Sequence, residues 1–248
     1  GTALAQHKNI EVAYIQEIPE HTGLHDVIEE PVKMRSLRRR IIAMANEKKE
    51  SITFDPVLSH DVSRTVFEIS QRVHCKWLMI EWTGRTRGAF TLHNPIGWLK
   101  AHLHCNLATF RDTGVRYIRK IFVLINNDRN DKLVIETADH LAKVFWADIT
   151  LTRYAHPKES DERKYYEQSF LKDLGTKLES KTQARVLIGN DKLKTIIEAS
   201  SEYDLLILGG SHYKLMHSLM PTLDDKLIAK ANCSVLAVHA AHPEPIKG

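Results

Sequence analysis

Two glycine-bearing loops are the places where this chain could hold a ligand. One follows the apolar run Leu205-Leu206-Ile207-Leu208, reads Gly209-Gly210-Ser211-His212, and ends at Pro221-Thr222 where a helix begins. The other carries Gly84, Arg85, Arg87 and Gly88 and leads toward Asn94-Pro95. A glycine loop that enters a helix N-terminus suits phosphate, because unbonded N–H groups and the helix dipole converge there. The first loop is spoiled for that use. Pro221 has no N–H to offer, and Asp224 and Asp225 occupy the first helical turn, where they satisfy the dipole from within. In the second loop the two arginine forks suit an anion, so the charges favour this loop; its alternative reading is an exposed basic turn.

Other chemistry is harder to assemble. His102, His104 and Cys105 are close in sequence but diverge at a helix end, and no second cluster has zinc spacing, so no metal is expected. The chain has no G-x-S-x-G elbow, Walker A loop or H-E-x-x-H motif, and the expectation is that it is not an enzyme. Its three cysteines, Cys75, Cys105 and Cys233, are widely spaced and suit a reducing compartment. The densest positive run is Lys33 to Arg40. On a helix it would turn Met34, Leu37, Ile41 and Met44 inward and Arg35, Arg38, Arg39 and Arg40 outward, as a solvated face or as a contact for anionic lipid headgroups. Nucleic acid is not expected, since no aromatic residues interleave with the basic ones and the formal charge is only +4. No apolar run approaches the roughly 20 residues of a membrane-spanning helix.

The elements that position these loops are written twice. Asp61-Val-Ser-Arg-Thr65-Val-Phe-Glu68 is echoed by Asp191-Lys-Leu-Lys-Thr195-Ile-Ile-Glu198, each beginning on an aspartate able to cap a helix. Each is followed by an apolar strand (Trp77 to Ile80, Leu205 to Leu208), a glycine-bearing loop, a helix and a last strand (Leu107 to Phe110, Val235 to Val238). The offset is about 130 residues, the size of one compact domain. Alternating strands and helices predict a parallel sheet covered on both faces. The second copy also contains a strand at Ile121 to Ile125 and a helix over 131–145 with Val134, Ala138, Leu141 and Phe145 on one face. The remaining elements are a strand at Asp148 to Arg153, a polar helix between Glu159 and Ser180, and a strand at Arg185 to Ile188. The first copy begins inside the unit: Thr2 to His7 reads as the tail of a helix and Ile10 to Ile18 as the second strand, so its opening strand is expected upstream. These readings predict a first domain over 1–115 and a second over 116–248.

With those residues in place, the chain resembles the universal stress protein family in tandem form. Asp204 to His239 carries the likeness best, in the order strand, Gly209-Gly210-Ser211-His212, loop, helix, then Asn232-Cys-Ser-Val-Leu-Ala-Val-His239. The resemblance implies an α/β, Rossmann-type fold of two five-stranded parallel sheets of the adenine nucleotide alpha hydrolase kind. It also implies a nucleotide site in the second copy, vestigial here, at Asn126, Gly209, Gly210, Ser211, His212 and Thr222. Relative to the family's pattern, Asn126 replaces an acidic residue, Tyr213 a glycine, and Pro221-Thr222 a Gly-Ser pair. No cofactor is therefore expected, with ATP or another adenine nucleotide as the alternative. Asn94 to Phe110 and Arg116 to Ile121 are similar to the cytoplasmic C-terminal region of prokaryotic amino-acid permeases and cation-chloride cotransporters. That likeness implies a regulatory domain on the cytoplasmic side of the membrane, with a transmembrane domain upstream in the same polypeptide. It implies homodimers as well, and the last strand of each copy is the candidate surface.

Overall fold

The computed structural model describes residues 1–6, 8–19, 32–82, 95–211 and 222–241. Two compact units divide the chain between Cys75 and Lys76.

The unit Gly1–Cys75 contains α1 (Thr2–Ala5), β1 (Ile10–Glu17), α2 (Val32–Lys48), β2 (Ile52–Ser59) and α3 (Val62–Arg72). β1 and β2 form a two-stranded parallel sheet, in register from Ile10 opposite Ile52 to Glu17 opposite Ser59. Asp61 caps α3 by accepting from the Arg64 N–H at 3.1 Å, as the sequence predicts. At the other end of α3, Arg72 reaches back to Glu11 on β1 and Asp55 on β2, tying the helix to both strands. In α2, Met34 and Ile41 are buried while Met44 is exposed, so the inward stripe is shorter than expected. Arg35, Arg39 and Arg40 lie on the exposed face. Arg38 departs from the expected outward pattern: its guanidinium sits 5.5 Å over the ring of Phe54.

The unit Lys76–Gly248 is built on a seven-stranded sheet in the order β3-β4-β9-β8-β5-β6-β7. The strands are β3 (Trp77–Glu81), β4 (Asn106–Arg111), β5 (Lys120–Leu124), β6 (Asp148–Ala155), β7 (Thr182–Ile188), β8 (Leu205–Gly209) and β9 (Ser234–His239). Among them run α4 (Pro95–His102), α5 (Asp131–Phe145), α6 (Asp161–Gly175), α7 (Lys192–Ser200) and α8 (Leu223–Lys230). All of β8 and β9 is buried, as expected for strands with both faces covered. α5 buries Val134, Ala138 and Leu141 along the predicted face. Asp191 caps α7 through the Lys194 N–H at 3.0 Å, matching Asp61 in the first copy.

The duplication is visible in the hydrogen-bonding register. β3 pairs with β4 in parallel, Trp77 opposite Asn106, and β8 pairs with β9 in parallel, Leu205 opposite Ser234; a constant 128 residues separates the two pairs. Between these two pairs, β4 and β9 are antiparallel neighbours, with Leu107 opposite His239, Thr109 opposite Ala237 and Arg111 opposite Val235. Applying the same offset, Thr109 and Ala237 are each other's counterpart, so a local twofold passes between them. The last strands of the two copies, expected to mediate assembly between molecules, are paired with each other inside one chain.

The compact units also fall elsewhere than at the 115/116 junction of the repeats. In the second copy, β5 hydrogen-bonds both β6 and β8 and so knits five strands into one sheet. Among the described residues the first copy has no counterpart of β5. Its strands β1 and β2 therefore form one small sheet while β3 and β4 belong to the large one.

Candidate functional site

Parallel α/β sheets place ligands beyond the carboxyl ends of the strands, at the point where strand order reverses. In the larger unit this point lies between β5 and β8, the two central strands of the second copy. A cleft of about 190 Å³ opens there, lined by Asn126 and Asp128 after β5, by Gly209 at the end of β8 and Ser211 beyond it, and by Leu223 and Asp224 at the start of α8. The sequence-predicted Asn126, Gly209 and Ser211 thus line one cleft, and Thr222 is tied to it through Asp224, which accepts the hydroxyls of both Ser211 and Thr222.

The cleft presents three backbone N–H groups after β5, and one N–H with two hydroxyls after β8, and on each side a carboxylate of the chain takes them. After β5, the N–H groups of Asn126, Asn127 and Asp128 turn toward Asp131, whose carboxylate accepts all three at 3.2, 2.7 and 3.2 Å. Burial, opposed by those backbone hydrogen bonds, raises the Asp131 carboxyl above the ordinary value. After β8, Asp224 accepts from the Ser211 N–H at 2.9 Å, the Ser211 hydroxyl at 2.5 Å and the Thr222 hydroxyl. Thr222 and Asp225 complete a reciprocal capping box at the first turn of α8. Asp224 is only 2% exposed, and its remaining charge is met by Lys100 of α4 at 3.2 Å. Burial would push this carboxyl up, but Lys100, Ser211 and Thr222 together hold it well below the usual carboxylate range.

Asn126 is also engaged. Its side-chain oxygen accepts from Lys192 Nζ at 3.0 Å, and burial lowers that ammonium below its ordinary value despite nearby Asp128.

The two glycines after β8 are explained by close approach. A Cβ on Gly209 would stand 2.9 Å from Cβ of Asn130, and one on Gly210 would stand 1.8 Å from Nε2 of His239. Asn130, itself buried, donates to the Gly210 carbonyl at 2.9 Å and accepts from the Ala240 N–H at 3.0 Å, locking β8 to the end of β9. Gly210 is thus required for packing, whether or not a ligand binds beside it.

Sequence reasoning missed the residues that link the two copies here. Lys100 from the first copy meets Asp224 at the N-terminus of α8. Arg111 from the first copy donates to the carbonyls of Ala229, Ala231 and Cys233 at 2.7, 2.5 and 3.1 Å, where α8 ends. A helix of the second copy is held at both poles by cations of the first, each placed where the helix dipole favours it or its counter-ion. Asp131 was legible in principle, as an aspartate at the start of a helix just after a strand. Lys100 and Arg111 carry no local signal; their roles depend on the antiparallel β4–β9 contact.

The remaining candidates divide. His212, and the loop residues Gly84, Arg85, Arg87 and Gly88, lie outside the described residues. Among the described residues no group of three or more metal-ligating side chains occurs, and His102 Nδ1 bonds the Trp98 carbonyl at 2.8 Å. Arg35, Arg38, Arg39 and Arg40 belong to the smaller unit and are not part of this cleft.

The fold can be matched to solved structures. A protein of unknown function from Pseudomonas aeruginosa superposes with a TM-score of 0.61 at 14% identity, covering 94% of this chain and 93% of that one. A universal stress protein from Archaeoglobus fulgidus superposes at 0.58 with 11% identity, covering 95% and 87%. The fold is that of the universal stress proteins. At these identities the likeness is one of architecture. No protein-family model and no curated protein sequence matches the chain. In this fold the cleft described above lies at the carboxyl ends of β5 and β8, where Asp131 and Asp224 accept the available donors.

Proposed function

We propose that the chain is a non-catalytic regulatory and assembly module whose second-copy nucleotide site has been converted into a structural joint. One observation carries this reading. The donors that a phosphate would use, on Ser211, Thr222 and Asn126 to Asp128, are consumed by Asp224 and Asp131, and Lys100 neutralises the former from the other copy. A nucleotide would have to displace the buried Asp224 and the half-buried Asp131 and then sit beside them.

The attachment we favour is to a membrane transporter of the amino-acid permease or cation-chloride cotransporter kind, with this module on the cytoplasmic side. Support comes from the sequence likeness at Asn94 to Phe110 and Arg116 to Ile121, and from the exposed arginines of α2, which suit an anionic lipid surface. Among the described residues no helix is long and apolar enough to cross a membrane; the spanning segments of this reading belong to a transmembrane domain upstream in the same polypeptide. Homodimers remain part of the proposal, through surfaces other than β4 and β9.

The rival reading is a tandem stress protein that binds ATP or another adenine nucleotide. The position of the cleft at the strand-order reversal favours it. Expression of the protein with its natural upstream sequence separates the two: partition into the membrane fraction supports the transporter reading. A wholly soluble product that retains ATP through gel filtration supports the rival.

A further inference from the structure

The end of the large sheet opposite the cleft carries a surface that is both aromatic and cationic. The parallel strands β5 and β6 begin there, with Lys120 opposite Asp148. The segment 115–119 leads into β5, and α5 ends at Phe145, next to Trp146. A groove of about 390 Å³ is walled by that segment together with Phe145 and Trp146.

Trp146 supplies the first observation. Its backbone is left-handed, with φ 57° and ψ 45°, at the C-cap of α5. Glycine is favoured at such a position, because a Cβ crowds the following carbonyl. The other non-glycine residues with positive φ among those described, Gln6, Lys49, His74 and Asn127, are polar. Packing does not account for the indole, since Trp146 is 87% exposed. A large apolar side chain thus stands in water on a strained backbone, an outlier that points to a use outside the fold.

The surroundings specify the partner. Tyr117 is 74% exposed, while Val115, Ile118 and Phe145 are half-buried and belong to the wall of the groove. Arg116 and Arg119 are exposed, and neither side chain has an ion pair or hydrogen bond among the described residues. Lys120 follows as a third exposed cation. The carboxylates at this edge are engaged. Asp148 pairs with Lys181 Nζ at 2.8 Å, and Asp204 accepts the N–H groups of Arg119 and Lys120 at 2.8 and 2.9 Å.

We infer that this edge is a docking surface for an anionic lipid bilayer. The projecting indole and phenol need an apolar phase to enter, and the two guanidiniums need negative charge. The headgroup layer of an anionic bilayer offers both: aromatic rings settle at its apolar boundary, and arginines meet its phosphates. The inference deepens the proposed placement at a membrane and extends it to residues outside α2. It needs no transporter, because a free-standing chain with these residues binds the same bilayer. Vesicle binding by residues 1–248 can therefore fail while the transporter attachment, tested on the protein with its upstream sequence, holds, and the reverse.

The test is flotation of residues 1–248 with vesicles of phosphatidylglycerol mixed with phosphatidylcholine, against vesicles of phosphatidylcholine alone. The protein should float with the anionic vesicles only, and its tryptophan emission should move to the blue. Trp146→Gly should weaken binding at least about tenfold and remove the blue shift. Its denaturation midpoint should stay level or rise, since glycine suits the left-handed cap. Arg116→Ser combined with Arg119→Ser should weaken binding about thirtyfold. Arg35→Ser combined with Arg39→Ser, in α2, separates the two basic surfaces: loss of binding there, with retention in the other variants, would overturn the inference. So would equal binding to both kinds of vesicle, or a fall in the Trp146→Gly midpoint. Self-association of the wild type that Trp146→Gly abolishes would overturn it as well, because a second copy would then cover the edge.

Discussion

Thr109 and Ala237 face each other at the centre of the antiparallel β4–β9 contact, and each occupies the other's position in the repeat. That coincidence makes the larger unit a pseudo-dimer within one chain. Around it, the first copy supplies cations to both ends of α8.

Lys100 and Asp224 form a buried pair between copies, 12% and 2% exposed at their side chains. Removing one partner of such a pair leaves an uncompensated buried charge, so Lys100→Ala or Asp224→Ala should each cost about 3–5 kcal/mol. Chemical denaturation of the two single variants and the double variant checks this. The double variant should be more stable than the sum of the singles implies.

Asp224 should also shape the acid limb of the stability curve. Its carboxyl is held below the unfolded value of about 3.9, so its contribution is complete above that pH and is lost as pH falls below it. Asp131, raised by burial, works in the opposite direction: its contribution is present at low pH and declines as pH rises through its folded value. Denaturation of Asp224→Asn between pH 2 and 6 should show a shallower acid slope than the wild type, and an unchanged slope would remove Asp224 from this role.

Gly210 packs against the ring of His239 with no room for a Cβ. Gly210→Ala should destabilise by about 1–3 kcal/mol through overpacking. Pairing it with His239→Ala should recover part of that loss, measured by the shift in denaturation midpoint. Recovery of this kind would show that a Gly210 variant reports on packing and not on ligand contact.

Cys233 is buried, and burial pushes its thiol up to about 11. Thiolate is the reactive form, so at pH 7.5 maleimide labelling of the folded protein should spare Cys233. Cys75, which is partly exposed, should label first. Mass spectrometry of the labelled protein reads this directly.

The repeat, the capping aspartates Asp61 and Asp191 and the acidic start of α8 were legible because each depends on short-range spacing: a cap three residues before the N–H it accepts, a strand of period two or an apolar run. The convergence of Asn126, Gly209, Ser211 and Thr222 was legible as well, since a parallel sheet brings the ends of β5 and β8 together. What could not be read was the partner of each terminal strand. An exposed β4 edge in the sequence could meet another molecule or β9, and only the fold shows that Leu107 lies opposite His239. Lys100 and Arg111 acquire their roles from that same contact across more than a hundred residues. The division at Cys75 follows the sheets: among the described residues β1 and β2 pair only with each other while β3 and β4 join the seven-stranded sheet, a matter of connectivity that no local pattern in residues 1–75 expresses.

Nucleotide titration of the purified protein, read by thermal denaturation with ATP and AMP at millimolar concentration, probes the closed cleft most directly. With Asp224 and Asp131 holding the phosphate donors, the midpoint should stay where it is without ligand. A ligand at about a hundredfold over its Kd would stabilise by about 2.7 kcal/mol, which for a unit of this size raises the midpoint by several degrees. A rise of that size with ATP, lost in Ser211→Ala, would contradict the closure of the site.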